Sequence, residues 1–221
     1  MRLILFDIDG TLLECGPQVR EILSAVLMEV YGTTGSIDRY DFAGRTDPGI
    51  VLDLIKEAGL DEREVLAGIP DVKARYAALL EERLDFQRMR LLPGVAEILE
   101  ALAQRDDVVL GLVTGNWEPG ARTKLSRFDL NRFFDFGAFG CDAVNRADLP
   151  PVALERAERI TGRRFRPAEA LIVGDTIHDI SCARAHGIPV LAVATGRTTA
   201  ETLRAGGADR VVADLTEIAD W

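Results

Sequence analysis

Hydrophobic positions along the chain alternate between two patterns. Short, nearly uninterrupted apolar runs occur at 3–8, 108–113, 170–173, 190–194 and 210–213, each followed by Gly, Asp or Thr. Runs of this length, apolar on both faces, predict buried parallel strands. Helical stripes lie between them, such as Val95, Ile98, Leu99 and Leu102 behind Pro93-Gly94, and Val152, Arg156, Ala157 and Ile160 behind Pro150-Pro151. Alternation of strand and helix predicts an α/β fold, a doubly wound parallel sheet with right-handed crossovers. A further short strand is expected near 136–139.

The interval 15–89 breaks this rhythm. It holds helical stripes (Val19, Ile22, Leu23, Val26, Leu27, Val30; then Ile50, Val51, Leu54, Ile55; then Tyr76, Leu79, Leu80, Leu84) and no convincing strand. About 75 residues of helix directly after the first strand exceed any ordinary loop. A small all-helical domain at 15–89 is therefore expected inside a discontinuous α/β core, 1–14 and 90–221, with junctions near 14–17 and 88–93.

Composition narrows the function. The 221 residues, 48% hydrophobic and 28% charged, suit one ordinary core plus an insert. Acidic residues outnumber basic ones by 36 to 26, which argues against a broad surface for nucleic acid or anionic lipid. No apolar stretch approaches the ~20 residues of a membrane span, and Asp7 and Asp9 cut short the opening apolar run, so a cytoplasmic protein is expected. Cys15, Cys141 and Cys182 form no C-x-x-C pair, and His178 and His186 are the only histidines. Neither a disulfide framework nor a zinc centre has the material it needs.

Candidate chemistry sits at three strand ends. Asp7-Ile8-Asp9-Gly10-Thr11 follows the first run, Thr114-Gly115-Asn116 follows the run at 108–113, and Gly174-Asp175-Thr176-Ile177-His178-Asp179 follows the run at 170–173. Each has a purely structural reading: a glycine turn at Gly10, a simple turn at Thr114, or a helix cap at Asp175 or Thr176. In an open parallel sheet, however, strand C-termini form the ligand crevice, and adjacent strand ends would bring the acid pairs together. Carboxylates about 4 Å apart repel by about 4 kcal/mol at an effective dielectric near 20, so a cluster of them needs protons or a cation. An all-oxygen donor set favours Mg²⁺. The hydroxyl and glycine-adjacent amides of Thr114, Gly115 and Asn116 are suited to phosphate oxygens.

Together, DIDGT at 7–11, TGN at 114–116 and GDTIHD at 174–179 resemble the haloacid dehalogenase superfamily of phosphotransferases. The resemblance extends to the helical insertion, placed where that family carries a cap, and within the family it is nearest to the phosphoglycolate phosphatase group. It implies Asp7 as nucleophile, Asp9 as general acid and base, Thr114 as phosphoryl binder, and a magnesium site of Asp7, Asp175, Asp179 and the backbone carbonyl of Asp9. An acid at Asp9 suits a leaving group that must be protonated, which disfavours carbon–halogen cleavage. The implied activity is Mg²⁺-dependent hydrolysis of a small phosphomonoester through a phosphoaspartate, with a phosphosugar mutase or a non-catalytic phospholigand-binding module as alternatives. The implied partner is a small-molecule phosphate ester; oligomeric state is not legible.

The family carries a lysine ahead of its fourth motif, whereas this chain has Arg146 in Asn145-Arg146-Ala147-Asp148-Leu149-Pro150-Pro151. Arg146 is taken as the substitute, although an arginine fork is not equivalent to a lysine. Lys124 is the reserve, read as a surface residue. In the insert, Asp47 is read as a helix N-cap with Pro48 at the first helical position. Arg45 and Thr46 are expected, by family analogy, to face the substrate when the cap closes.

Overall fold

A computed structural model of the chain describes residues 1–218, so the last three residues of the expected core segment lie outside the described residues. The first half of the chain contains β1 (Arg2–Phe6), β2 (Leu13–Glu14), α1 (Gln18–Tyr31), α2 (Asp47–Glu57), α3 (Glu62–Arg83), β3 (Arg90–Leu91) and α4 (Val95–Ala103). Next come β4 (Val108–Val113), α5 (Glu118–Ser126), β5 (Gly137–Ala138), α6 (Leu149–Thr161) and β6 (Ala170–Gly174). The chain closes with α7 (Ile177–Ala185), β7 (Val190–Val193), α8 (Ala200–Ala205) and β8 (Arg210–Val212).

Six strands form one sheet in the order β5-β4-β1-β6-β7-β8, and every pairing in it is parallel. The period-two geometry of β1 sends Ile4 and Phe6 to one face and Leu3 and Leu5 to the other. Ile4 and Phe6 join a cluster with Val95 and Leu99 of α4 and Leu125 of α5. Leu3 and Leu5 meet Leu149 and Ala153 of α6 and Ile180 of α7. Helices thus cover both faces, as a sheet apolar on both sides requires. The chain fills one side of β1 with β4 and β5 before crossing to β6, so the crevice between these strand ends is a topological switch point.

Helices α1 to α3 contribute no strand to that sheet. Where the chain leaves for them and returns, β2 and β3 pair antiparallel, with Leu13 opposite Leu91 and Glu14 opposite Arg90. Gln18 reinforces this seam by donating to the carbonyls of Cys15 and Asp85 and accepting from the Asp85 amide. Two-residue strands are too short to show alternation, so sequence periodicity does not reveal them. Tyr76 of α3 packs edge-on against Trp117 at 5.8 Å between ring centroids, which seats the helical segment on the rest of the molecule.

Two local readings need correction. Thr46, not Asp47, caps α2: its extended backbone precedes the helix and its hydroxyl accepts from the Gly49 amide. Aspartate and threonine both cap well, and the Asp47 carboxylate is drawn away to the Trp117 amide at 2.8 Å. In α6 the buried stripe is Leu149, Pro150, Ala153 and Ala157, whereas Ile160 is 53% exposed. Small alanines on that face let the helix approach the sheet closely. No helix among the described residues is long and apolar enough to cross a membrane.

Candidate active site

The site begins where β1 ends. Asp7 continues the parallel pairing through its amide to the Val173 carbonyl at 2.9 Å, which carries its buried side chain to the crevice between β1 and β6. The backbone then turns tightly, with the Leu12 amide on the Ile8 carbonyl and Gly10 at φ +86°. A β-carbon at Gly10 would lie 2.4 Å from Asp175 Oδ2, so both conformation and space require glycine there. Thr11 Oγ1 donates to Asp175 Oδ1 at 3.3 Å.

At the end of β6, Thr176 caps α7, its hydroxyl accepting from the His178 and Asp179 amides, and in return the Thr176 amide and hydroxyl donate to Asp179 Oδ2 at 3.0 and 2.7 Å. Capping is therefore real, but it belongs to Thr176 and Asp179 and leaves Asp175 free to face Asp7. Carboxylate oxygens of Asp7, Asp175 and Asp179 all lie within 4.8 Å of one another, and all three residues are buried. Arg146 Nη2 reaches Asp179 Oδ1 at 2.5 Å and Asp7 Oδ1 at 3.1 Å. One guanidinium faces three acids, and its buried Nε has no hydrogen-bond partner among the described residues.

On the β4 side, Thr114 donates its amide to the Ala138 carbonyl at 3.0 Å. Asn116 Nδ2 donates to Thr114 Oγ1 and Asp9 Oδ2, both at 2.8 Å. Gly115 meets the helical segment directly: its carbonyl accepts the Asp47 amide at 2.8 Å, and a β-carbon would lie 2.0 Å from the Arg45 carbonyl oxygen. The Asp9 side chain, 42% exposed, stands apart from the buried triad and pairs with Lys124 at 2.7 Å. Between these groups opens a cleft of about 400 Å³, lined by Asp7, Asp9, Thr114, Asn116, Arg146 and Asp175 among others, with Arg20, Phe42 and Arg45 from the helical segment.

Burial, with Asp179 and Asp7 adding repulsion, raises the pKa of Asp175 despite Arg146. Burial likewise raises Asp7; Arg146 opposes the shift while Asp179 and Asp9 reinforce it. Asp47 is pushed up to about 6, chiefly by burial, against the pull of Lys124 and the Trp117 amide. These directions fix a sign. A folded state that holds protons at pH values where the unfolded chain has released them loses stability as pH rises. The metal-free protein is thus expected to melt at lower temperature as pH climbs from about 4 to about 6, the window between the ordinary carboxylate value and that of Asp47. Asp7 and Asp175 act in the same sense; the opposing groups are His178, whose pKa burial lowers, and, at the acid end of the window, Glu169 and Asp107, whose carboxyls Arg166 and Arg105 hold below the ordinary value. A melting series in chelator checks this, and a melting temperature that rises through the window contradicts it.

The structure brings Asp7, Asp9, Thr114, Gly115, Asn116, Arg146 and Asp175 to one cleft, with Asp179 directly behind Arg146. The Asp9 carboxylate is not among the three clustered acids. Arg45 lines the cleft, paired to Asp53 at 3.0 Å and stacked on Tyr40. Thr46 does not line it: its hydroxyl caps α2 and donates to the Val144 carbonyl, so the expectation that it faces substrate is corrected. The surface reading of Lys124 is also overturned, since the residue is 2% exposed. A signal was present: Gly120, Ala121, Lys124 and Leu125 form one helical stripe, and Lys124 lies in its middle. The contacts of Thr11 with Asp175 and of Asp47 with the Trp117 amide carry no sequence signal of their own, although Thr11 belongs to the first motif.

The acid triad fits a hard divalent cation: it offers oxygen donors only, it is buried, and it carries more negative charge than Arg146 can offset. Comparison with known proteins agrees with this architecture. Residues 4–193 match the model of the family described as haloacid dehalogenase-like hydrolase. The phosphoglycolate phosphatase of Pseudomonas syringae pv. tomato is 26% identical over 98% of this chain and 78% of its own length. The plasmid-encoded phosphoglycolate phosphatase of Cupriavidus necator is 28% identical over 96% of this chain and 89% of its own. Among solved structures, a predicted phosphatase from Clostridium acetobutylicum superposes with a TM-score of 0.74, at 19% identity over 98% of this chain and 95% of that one. CbbY from Rhodobacter sphaeroides, in complex with phosphate, gives 0.67 at 20% identity, over 99% and 97% of the two chains. The match over most of the length, on a fold that places the three motifs at one crevice, shows that this chain belongs to the haloacid dehalogenase-like hydrolase family.

Proposed function

We propose that this enzyme is a Mg²⁺-dependent phosphomonoester hydrolase that cleaves a small phosphate ester through a phosphoaspartate formed on Asp7. The observation that carries this reading is the meeting of the Asp7, Asp175 and Asp179 carboxylates within 4.8 Å, in a cleft shared with Thr114 and Asp9. Three such acids do little as a bare cluster beyond repelling one another.

Magnesium held by Asp7, Asp175 and Asp179, with the Asp9 backbone carbonyl as a further oxygen, supplies positive charge that offsets repulsion between carboxylate and phosphate. The chain does the rest. Asp7, once ionised, attacks phosphorus while the ester oxygen departs with a proton from Asp9. Asp9 then takes a proton from water, which displaces the phosphoryl group from Asp7 and regenerates the carboxylate. Thr114 and the neighbouring amides hold phosphoryl oxygens without adding negative charge. Arg146, fixed between Asp7 and Asp179, keeps the nucleophile aimed and partly neutralised. The helical segment 15–89 serves as a cap, supplying Arg20, Phe42 and Arg45 to the cleft wall and limiting water.

A cleft of about 400 Å³ suits a small metabolite, and the named relatives make a phosphorylated two-carbon acid the first candidate. The test is a panel of small phosphate esters, including phosphoglycolate, sugar phosphates and p-nitrophenyl phosphate, assayed for inorganic phosphate. At least one physiological ester is expected to reach kcat/KM on the order of 10⁴ M⁻¹s⁻¹ or more. Release from none of them, or isomerisation of a sugar phosphate without phosphate release, contradicts the reading.

A further inference from the structure

Lys124 is an unusual residue to find buried. Lysine is almost never fully buried without a partner, yet its side chain is 2% exposed in the last turn of α5. An ammonium has three protons to donate, and three acceptors stand around this one: Asp9 Oδ1 at 2.9 Å, Asp9 Oδ2 at 2.7 Å and Asn116 Oδ1 at 2.6 Å. Asn116 completes the triangle by donating to Asp9 Oδ2 and to Thr114 Oγ1. Cys15, Tyr76 and Asp47 face the same ammonium, and with Asp9 they keep it protonated although burial alone would act the other way. Tyr76, whose buried hydroxyl has no hydrogen-bond partner among the described residues, and Asp47 come from α3 and α2. The ammonium is thus seated between the strand-end loops and the helical segment.

Resting on the phosphatase reading, we infer that Lys124 is a positioning residue for the proton-transfer step: it holds the Asp9 carboxylate, with Asn116, at the mouth of the cleft where the ester oxygen departs. Alone, the Asp9 side chain is nearly half exposed and free to change rotamer. The ammonium spans both its oxygens, and Asn116 ties that pair to the phosphoryl-binding Thr114. Acid and phosphate site are therefore fixed in one frame. Lys124 lines the same cleft, but the hydrogen bonds of its ammonium go to Asp9 and Asn116, so it acts through Asp9.

The discriminating experiment exploits the leaving group. An alkyl phosphate must have its departing oxygen protonated, whereas p-nitrophenolate leaves without help, and kcat/KM reports the steps through departure. Lys124→Met is expected to lower kcat/KM for the best alkyl ester by about 100-fold, as misplacement of a catalytic group does. For p-nitrophenyl phosphate the loss should be no more than about a tenth as large on the same scale. In an Asp9→Asn background, Lys124→Met is expected to change neither rate, because the group it positions is gone. Equal losses on both substrates, no loss on either, or a full additional loss in the Asp9→Asn background overturns the inference. Should Lys124→Met not fold by circular dichroism, Lys124→Gln is put through the same comparison against the same criteria. Absence of phosphatase activity in the unaltered protein would instead defeat the functional reading, so the two failures are distinguishable.

Discussion

Replacing Asp7 by asparagine is expected to reduce turnover by on the order of 10⁴- to 10⁶-fold, as loss of a nucleophile does elsewhere, while leaving the fold intact. The amide side chain cannot form an acyl phosphate, and no other carboxylate occupies its place at the end of β1. The fold should survive because the backbone bond from residue 7 to Val173 does not involve the side chain, and Arg146 keeps Asp179 as partner. Removing one of three mutually repelling buried acids should, if anything, raise the melting temperature of metal-free protein at neutral pH, since burial and repulsion both disfavour that charge. Steady-state phosphate release, thermal melts and acid-quenched peptide mapping check the three parts. The phosphoryl group should be found on Asp7 in the unaltered enzyme and nowhere in the variant. A variant with near-normal kcat removes Asp7 from the role of nucleophile.

Loss of the cation is expected to be almost as damaging. With excess chelator, activity should fall to the detection limit and return on adding Mg²⁺, because Arg146 alone cannot neutralise Asp7, Asp175, Asp179 and an incoming phosphate. Asp175→Asn isolates the same effect in the chain. Asparagine preserves the size of the side chain and an oxygen for Thr11, but removes the charge whose pKa burial and its two acidic neighbours raise. A loss of about 10²- to 10⁴-fold in kcat/KM is expected, partly recovered at high Mg²⁺ concentration. Full activity in chelator, or an Asp175→Asn enzyme indistinguishable from the original, would remove the need for a metal at this site.

Much of the fold was legible because its strands are long enough, and apolar enough on both faces, to announce themselves. The run at 3–8 is the clearest case: β1 lies at the centre of the sheet, and its alternating residues feed two separate cores. The same strand explains why the chemistry was readable, since acids directly after a buried central strand have only the crevice to occupy. Elements of two residues, β2 and β3, are invisible to any periodicity and are set by pairing across 76 positions, from Glu14 to Arg90. Thr46 and Asp47 exchanged expected duties because two good capping residues stood side by side, and a contact from the distant Trp117 amide decided between them. Lys124 was misplaced for a different reason. A lysine in a helix ordinarily means solvent, and only the position of Asp9 in space shows that this one has a buried partner.

The account rests on three carboxylates from two strand ends acting as ligands of one ion. Manganese, which is spectroscopically visible and accepts the same oxygen ligands, can be titrated into metal-free protein and into Asp175→Asn. One ion bound per chain in the unaltered protein, with affinity weakened at least about tenfold in the variant, is the predicted result. Binding of no ion, or binding untouched by the loss of Asp175, would contradict it.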